Sequence, residues 1–349
     1  MNTKEVCETL NISSKTLRIY EEKGLVQAQR GENNYRNYSD NDIVKIKHIM
    51  FLRELGFSIK DIKKLIEKSG YNNEFLRNLY IQYKAVKAKI NELENIKSTL
   101  KVSINDIFSE GEEKSKFSYL KKMNDVLDEN KNVHKEWIDQ WNFDSWAKSY
   151  DASVLDNTQD ELKLFDGYKD IMNKLRGIIK ENNAEKVLDI GCGTANLCGV
   201  LSEKLDITGM DQSVEMLILA QKKYPKMKFK FGNFLDVPFI ENEFDIIVST
   251  YAFHHLTAQE KRKALDIMLK YLKPNGKIII ADLMFLNNEK KEECKRKFQN
   301  ENRLDLWEEI EDEYYTVIED FKSYAEFCEC NFYYEHLKNF TWLIEIKFS

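Results

Sequence analysis

Asp189, Gly191 and Gly193 fall within one short stretch, VLDIGCGTAN (187–196), and together could hold a nucleotide-like ligand. An apolar run that breaks into closely spaced glycines lets backbone amides approach a ligand, and the residues after it read as the start of a helix. A dinucleotide loop spaces its glycines G-x-G-x-x-G, but here the third place holds Asn196. Asp189, just ahead of the glycines, would repel a pyrophosphate in a partly desolvated crevice. It suits a ligand with positive charge and no phosphate. Asp211, twenty residues past Gly191, is placed to accept both hydroxyls of a ribose. Both nucleotide classes use such an acid, so Asp189 is the discriminating residue. A second chemistry lies further on: His254 and His255 follow the apolar run FDIIVST, where either could take a proton from an acceptor atom. For His255, capping or packing the next helix is the alternative.

The elements that must position these residues show as alternating runs. KVLDIG, DITGMD, KFKFGN, FDIIVST and KIIIADL read as strands, with SVEMLILAQKKY and AQEKRKALDIMLKYL as helices between them. This alternation, from about residue 137 onward, predicts a doubly wound α/β sheet with a mostly parallel core. Ligands of such sheets bind at the carboxyl ends of the strands.

The other end of the chain has a different texture. TKEVCETLNISSKTLRIYEEKGLV reads as two short helices joined by a tight turn, with Ser13 and Ser14 as candidate N-caps of the second. That second helix carries Lys15, Thr16, Arg18 and Tyr20, side chains able to reach base edges and phosphates, which is the anatomy of a helix-turn-helix. Residues 31–34 then form a turn, and a wing would present Arg36 and Tyr38 to a nucleic-acid backbone. Leu76, Leu79, Tyr83, Val86, Ile90, Leu93, Lys97, Leu100, Ile104 and Ile107 follow at alternating three- and four-residue steps, a heptad seam on one long helix. The polar stretch SEGEEKSKFS, from residue 109, reads as a linker, and residues 117–135 as one more helix or a spacer. The expected division is therefore a DNA reader at 1–71, a dimerisation helix at 72–108, a linker or spacer at 109–136 and the α/β domain at 137–349.

Charge follows the same division. Residues 1–101 carry a net +6 and the remainder −12, within a total of −6, so one end is expected to meet a polyanion. Six scattered cysteines fit a reducing compartment, and Cys328 with Cys330, lacking a third ligand nearby, makes a poor metal site, so none is expected. No run is long and apolar enough to span a membrane and no apolar signal region opens the chain, which predicts a cytoplasmic protein.

Two resemblances sharpen this reading. TLRIYEEKGLV, the wing YRNYSDNDI and the later LRELGFSIKDIKKLI resemble the MerR family of transcriptional regulators in order and spacing over about the first 70 residues; Ile19 replaces the usual aromatic. The resemblance implies that Thr16, Arg18 and Tyr20 contact DNA from the helix, Arg36 and Tyr38 from the wing and Lys60 from the second helix pair. It also implies an antiparallel coiled-coil homodimer on a palindromic promoter, working beside RNA polymerase. Metal-sensing relatives carry cysteines at both ends of the long helix, whereas residues 8–191 have none, which excludes a thiolate metal sensor.

Residues 137–349 resemble the class I S-adenosylmethionine-dependent methyltransferases, a Rossmann-like fold, and within them the YrrT-like subgroup. FDSWAKSYDASV, VSTYAFHHLTAQEK, GKIIIAD, DEYYTVIEDF and FTWLIEIKF carry that likeness. It implies that Asp189, Gly191 and Gly193 hold the methionine portion of the cofactor, Asp211 and Gln212 the ribose, and Asn233 and Phe234 the adenine. Ser249 would lie under the reacting centre, while Trp146 and Tyr150 close over the methyl donor, Tyr150 near the chemistry itself; packing is the alternative for Trp146. Tyr251, Tyr314 and Tyr315 would shape the pocket of a small-molecule acceptor, and Ala195, where many relatives have a third glycine, would tighten the helix start. Three functions follow: a regulator with a working methyltransferase, a non-catalytic sensor of S-adenosylmethionine or S-adenosylhomocysteine, and an enzyme with a vestigial DNA reader.

Overall fold

The computed structural model describes residues 1–30, 35–68, 74–133, 143–156 and 160–348, and the chain divides into two compact units, 1–138 and 139–349. The turn expected at 31–34 lies outside the described residues.

In the first unit, α1 (Thr3–Leu10) starts from a capping box between Asn2 and Glu5 and ends where Asn11 turns left-handed, at φ 52°. Ser13 then caps α2 (Ser14–Glu22) by accepting from the Thr16 amide at 3.0 Å. Short strands β1 (Gln29–Arg30) and β2 (Arg36–Asn37) pair antiparallel as the wing. Helices α3 (Asp40–Glu54) and α4 (Ile59–Lys68) close a core in which Val6, Leu17, Ile46, Ile49, Leu52 and Ile62 are fully buried. The long helix α5 (Glu74–Glu110) seats Ala85 in that core, and Gln82 hydrogen-bonds His48 of α3 at 2.8 Å.

The stretch expected as linker, 109–118, is helical on both sides of one residue, and the helix allowed over 117–135 is present to Val133. Only Gly111, at φ +87°, separates α5 from α6 (Glu112–Val133). α6 turns back on α5, and Lys122 pairs with Asp106 at 2.6 Å. The charged residues that read as linker are good helix formers, and Glu112 and Glu113 suit a helix N-terminus. The end of that span, 134–136, and the residues to 142 are outside the described residues.

The second unit opens with α7 (Phe143–Trp146), α8 (Tyr150–Leu155) and α9 (Tyr168–Glu181). Its sheet is built from β3 (Lys186–Ile190), β4 (Asp206–Asp211), β5 (Lys228–Phe231), β6 (Phe244–Thr250), β7 (Leu272–Phe285), β9 (Cys330–Lys338) and β10 (Thr341–Phe348). They lie in the order β5-β4-β3-β6-β7-β10-β9, while β8 (Thr316–Val317) adds to β7. The strands from β5 through β7 are parallel and β10 is antiparallel to both its neighbours, giving a mixed sheet with a closing hairpin. Alternate strand residues feed two cores: Val187 and Val248 face one, Leu188 and Ile247 the other. The order reverses between β3 and β6, so their carboxyl ends frame the crevice. Crossover helices α10 (Val214–Lys223) and α11 (Ala258–Tyr271) flank the sheet, and α12 (Asn288–Asn300), α13 (Leu304–Asp312) and α14 (Ile318–Phe327) follow β7.

One expected helix is absent. After β3 the chain runs through turns to a single 3-10 turn at Gly199–Leu201. Gly193 and Ala195 both take positive φ, 53° and 61°, which no α-helix tolerates, so Ala195 opens the chain rather than tightening a helix start.

Candidate functional site

The glycine turn is built by β4. The amides of Gly191 and Cys192 both donate to the Met210 carbonyl, at 2.8 and 3.1 Å, folding the chain over the strand end. Gly191 has φ +72°, and a Cβ there would stand 2.4 Å from that of Ala252, so only glycine fits. Asp189 is 1% exposed, and neither carboxylate oxygen makes a well-formed hydrogen bond among the described residues. Burial pushes its pKa up to about 7, with the Cys198 thiol and amide offsetting part of the rise. An acid this enclosed is stable as an anion only beside a positive charge. The donor set therefore fits a cationic, phosphate-free ligand.

Asp211 stands ready but engaged: its oxygens accept from the amides of Gly193 and Ser213, both at 2.8 Å. Gln212 is exposed, Asn233 accepts from the Leu235 amide through its side chain at 2.8 Å, and Phe234 is buried edge-on to Phe253. Ser249 is fully buried, and its hydroxyl has no partner among the described residues. Because Asp189 pairs with Val248, Ser249 points to the other face of the sheet.

A strap formed by α7 and α8 crosses these strand ends. Asp144 accepts from the Ser213 hydroxyl at 2.7 Å, and Phe143 meets His255 edge to face. Asp151 accepts from the Thr194 hydroxyl (2.5 Å) and the Asn196 amide (2.9 Å), and from Lys223 at 2.9 Å. Burial works against its charge, but these three donors hold its carboxyl below the usual range. Tyr150 lies against Gly193, with Trp146 edge-on to it at 4.8 Å.

Beside the crevice, Asp282 near the end of β7 accepts from His254 Nδ1 at 2.5 Å and from the amides of Phe253, His254 and Leu283 at 2.6, 3.0 and 2.7 Å. Burial opposes both charges, yet the pair overcomes it: the pKa of Asp282 is lowered and that of His254 raised. An ionised carboxylate only accepts, so Nδ1 carries a proton, and in the neutral ring the lone pair is on Nε2. His255, by contrast, is pushed down to about 2 by burial and by His254. Glu313, its pKa raised by burial, and Tyr315, whose buried hydroxyl has no partner among the described residues, stand near His254.

Two pocket tyrosines move elsewhere. Tyr251, expected to line the acceptor pocket, is buried in the first core against Phe165 and Tyr168, because its left-handed backbone (φ 49°) carries the ring out of the strand line. Tyr314 is exposed, and its carbonyl accepts from Lys261, whose pKa burial lowers to about 8. Only Tyr315 remains beside the histidines.

On the first unit, Lys15, Arg18 and Lys60 are exposed, and Arg18 pairs with Glu22 along α2. Thr16 hydrogen-bonds the Ser13 hydroxyl at 2.9 Å. Arg36 grips both oxygens of Glu21 at 2.9 and 3.1 Å, and the Tyr38 hydroxyl donates to the same carboxylate at 2.7 Å. Tyr20 and Tyr38, expected at the DNA, are 5% and 2% exposed. Their rings fill the core between helices and wing, so they set the frame on which Arg18 and Arg36 stand.

Comparison with known proteins agrees with this division. A family model described as MerR HTH family regulatory protein matches residues 1–69, and one described as methyltransferase domain matches residues 187–276. An uncharacterized methyltransferase of Anoxybacillus flavithermus is 36% identical over 204 residues, covering 58% of this chain and 94% of its own. Relatives in Oceanobacillus iheyensis (33%, covering 61% and 98%) and Halobacillus halophilus (YrrT; 30%, covering 61% and 97%) bear the same description. The chain belongs to this YrrT-like methyltransferase family. It joins that methyltransferase domain to an N-terminal MerR-type helix-turn-helix region.

Several residues at the centre of this YrrT-like domain escape a sequence reading. Asp282 is legible as an acid that ends an apolar run, as Asp189 and Asp211 do, but its partner lies 28 residues away. Asp151 and Thr194 lie inside motifs read for other residues and Lys223 inside a run read only as a helix; the fold brings the three together.

Proposed function

We propose that this chain is a MerR-type transcription regulator whose methyltransferase domain transfers a methyl group from S-adenosylmethionine to a small molecule, releasing S-adenosylhomocysteine. The observation that carries the cofactor is Asp189, whose buried carboxylate faces no cation among the described residues and calls for one at the glycine turn. When bound, the cofactor supplies an electrophilic methyl group. Asp189, Gly191 and Gly193 would receive its amino-acid end, Asp211 and Gln212 its ribose, and Asn233 and Phe234 its base. Tyr150 and Trp146, on the strap, would exclude water from the donor. His254, its tautomer set by Asp282, is the base on this reading, and His255 is too weakly basic to share that role. Tyr315 would bound the acceptor. Nothing in this assignment calls for a metal, and among the described residues no cluster of His, Cys, Asp and Glu has the makings of a metal site.

On DNA, Lys15, Thr16, Arg18, Arg36 and Lys60 would meet a palindromic promoter. The seam of α5, nine apolar residues that are 36–55% exposed, would pair with a second copy, placing two readers beside RNA polymerase. No helix among the described residues is long and apolar enough to cross a membrane.

One observation favours a second reading, a sensor that holds cofactor without turnover: His254 is only 4% exposed. Calorimetry with S-adenosylmethionine, then turnover against thiols, amines and phenols, separates the two. No heat of binding removes the cofactor assignment; binding without turnover favours the sensor.

A further inference from the structure

A cavity of about 310 Å³ opens between α8, the first half of α9, Asn196 and the end of α10, and none of the roles above uses it. Its volume is at the lower end of small-molecule sites. Three cations line it, Lys169, Arg176 and Lys223, against the single carboxylate of Asp151. Arg176 spends three N–H groups on the Leu197 carbonyl (3.0 Å), the Asn196 carbonyl (2.5 Å) and the Asn173 side chain (2.9 Å). A guanidinium has five, so two remain. Lys169 is exposed and forms no ion pair with a described residue. Tyr168 and Met172 give the cavity an apolar wall.

We infer that this cavity is a second ligand site, for a small organic anion with an apolar body, and that its occupant acts on the glycine turn. An excess of positive charge over an apolar wall recognises a carboxylate or a phosphate monoester attached to a ring or chain. The lining cations are also what holds the chain just past the turn: Arg176 grips the carbonyls of 196 and 197, and Lys223 bridges Asp151 and the Asn196 side chain at 2.9 and 2.5 Å. An anion that draws Lys223 and Arg176 to itself loosens that hold and with it the tie between strap and turn. Cofactor affinity then falls, and by linkage the cofactor weakens the anion equally. Binding rests on the cavity alone; the coupling rests on the cofactor reading above.

The test uses the full chain at fixed ionic strength, with phenyl phosphate and benzoate as probes and benzylammonium as the charge control. Saturable binding of one or both anions, but not of the cation, is expected by calorimetry, and the stronger anion names the head group. Lys169→Glu, a change at an exposed side chain with no ion pair to a described residue, should weaken the anion at least tenfold while leaving S-adenosylmethionine binding intact. Arg176→Lys, which keeps the charge and loses the fork, should weaken it too. Saturating phenyl phosphate should raise the apparent Kd for S-adenosylmethionine by about fivefold. No saturable anion binding, equal binding of benzylammonium, or indifference to Lys169→Glu overturns the site. Complete mutual exclusion also overturns it, since the cavity would then belong to the cofactor crevice. An unmoved cofactor Kd overturns the coupling alone, and a protein that binds anion but not cofactor overturns the cofactor reading and leaves the site standing.

Discussion

Asp189 pairs an ordinary acid with a place that disfavours its charge. Its pKa in the folded protein is about 7, above the ordinary carboxyl value, so the fold binds this proton more tightly than the unfolded chain does. The stability this contributes is complete below about pH 4 and is lost as pH rises through 7. Asp189→Asn should therefore gain on the parent protein between pH 5 and 8, by on the order of 2 kcal/mol in cofactor-free urea unfolding. The same variant should lose S-adenosylmethionine. A stability difference that does not change with pH would mean the carboxyl is not the buried acid described. His254 gives a kinetic counterpart, since a base works only when neutral and the rate should rise with pH through its raised pKa. Asp282→Asn removes the charge that raises it. The rising limb should move to lower pH and kcat should fall by about 10²-fold or more with KM little changed; an unmoved limb would reassign the base. The glycine turn and the His pair were legible because their spacing is local. Tyr20, Tyr38 and Tyr251 were not, since an aromatic ring serves a pocket, a phosphate backbone or a core equally well, and only burial separates them.

At the scale of elements, periodicity read well and punctuation read poorly. The five parallel strands and the heptads of α5 follow from apolar spacing and stand where the pattern put them. The helix after the glycine turn failed because Gly193 and Ala195 both take a left-handed backbone. The linker failed because charge density marks loops and solvated helices alike. The exposed seam gives a direct test: Ile90→Lys with Leu93→Glu should convert a dimer to a monomer in sedimentation and weaken operator binding, while the helix content stays constant. A variant that sediments as the parent does would place the interface elsewhere.

Across the whole molecule, charge separates the two tasks. The N-terminal residues 1–101 hold +6 and the remainder −12, so attraction to a polyanion is expected of the N-terminal end alone. Promoter binding should weaken steeply with salt, log K falling by roughly 0.9 for each phosphate neutralised. Arg18→Ala should flatten that slope by about one unit in gel-shift titrations across salt, and an unchanged slope would remove Arg18 from the interface. A chain that carries both a reader and a methyltransferase has a further thermodynamic option, because any ligand that favours one DNA-binding state is itself bound differently when DNA is present.

Gly111 has a consequence for how copies of the chain could meet. Residues 74–133 would be one uninterrupted helix were it not for this left-handed residue, at which a Cβ would meet nothing within 4 Å among the described residues. Space is thus no obstacle to a side chain there; the backbone angle alone is. A residue that prefers φ near −60° would tend to fuse the two helices into a rod of about 90 Å. The surface that α6 now finds on its own α5 could then be recovered only from another molecule, so a single glycine separates a self-satisfied hairpin from a swapped assembly.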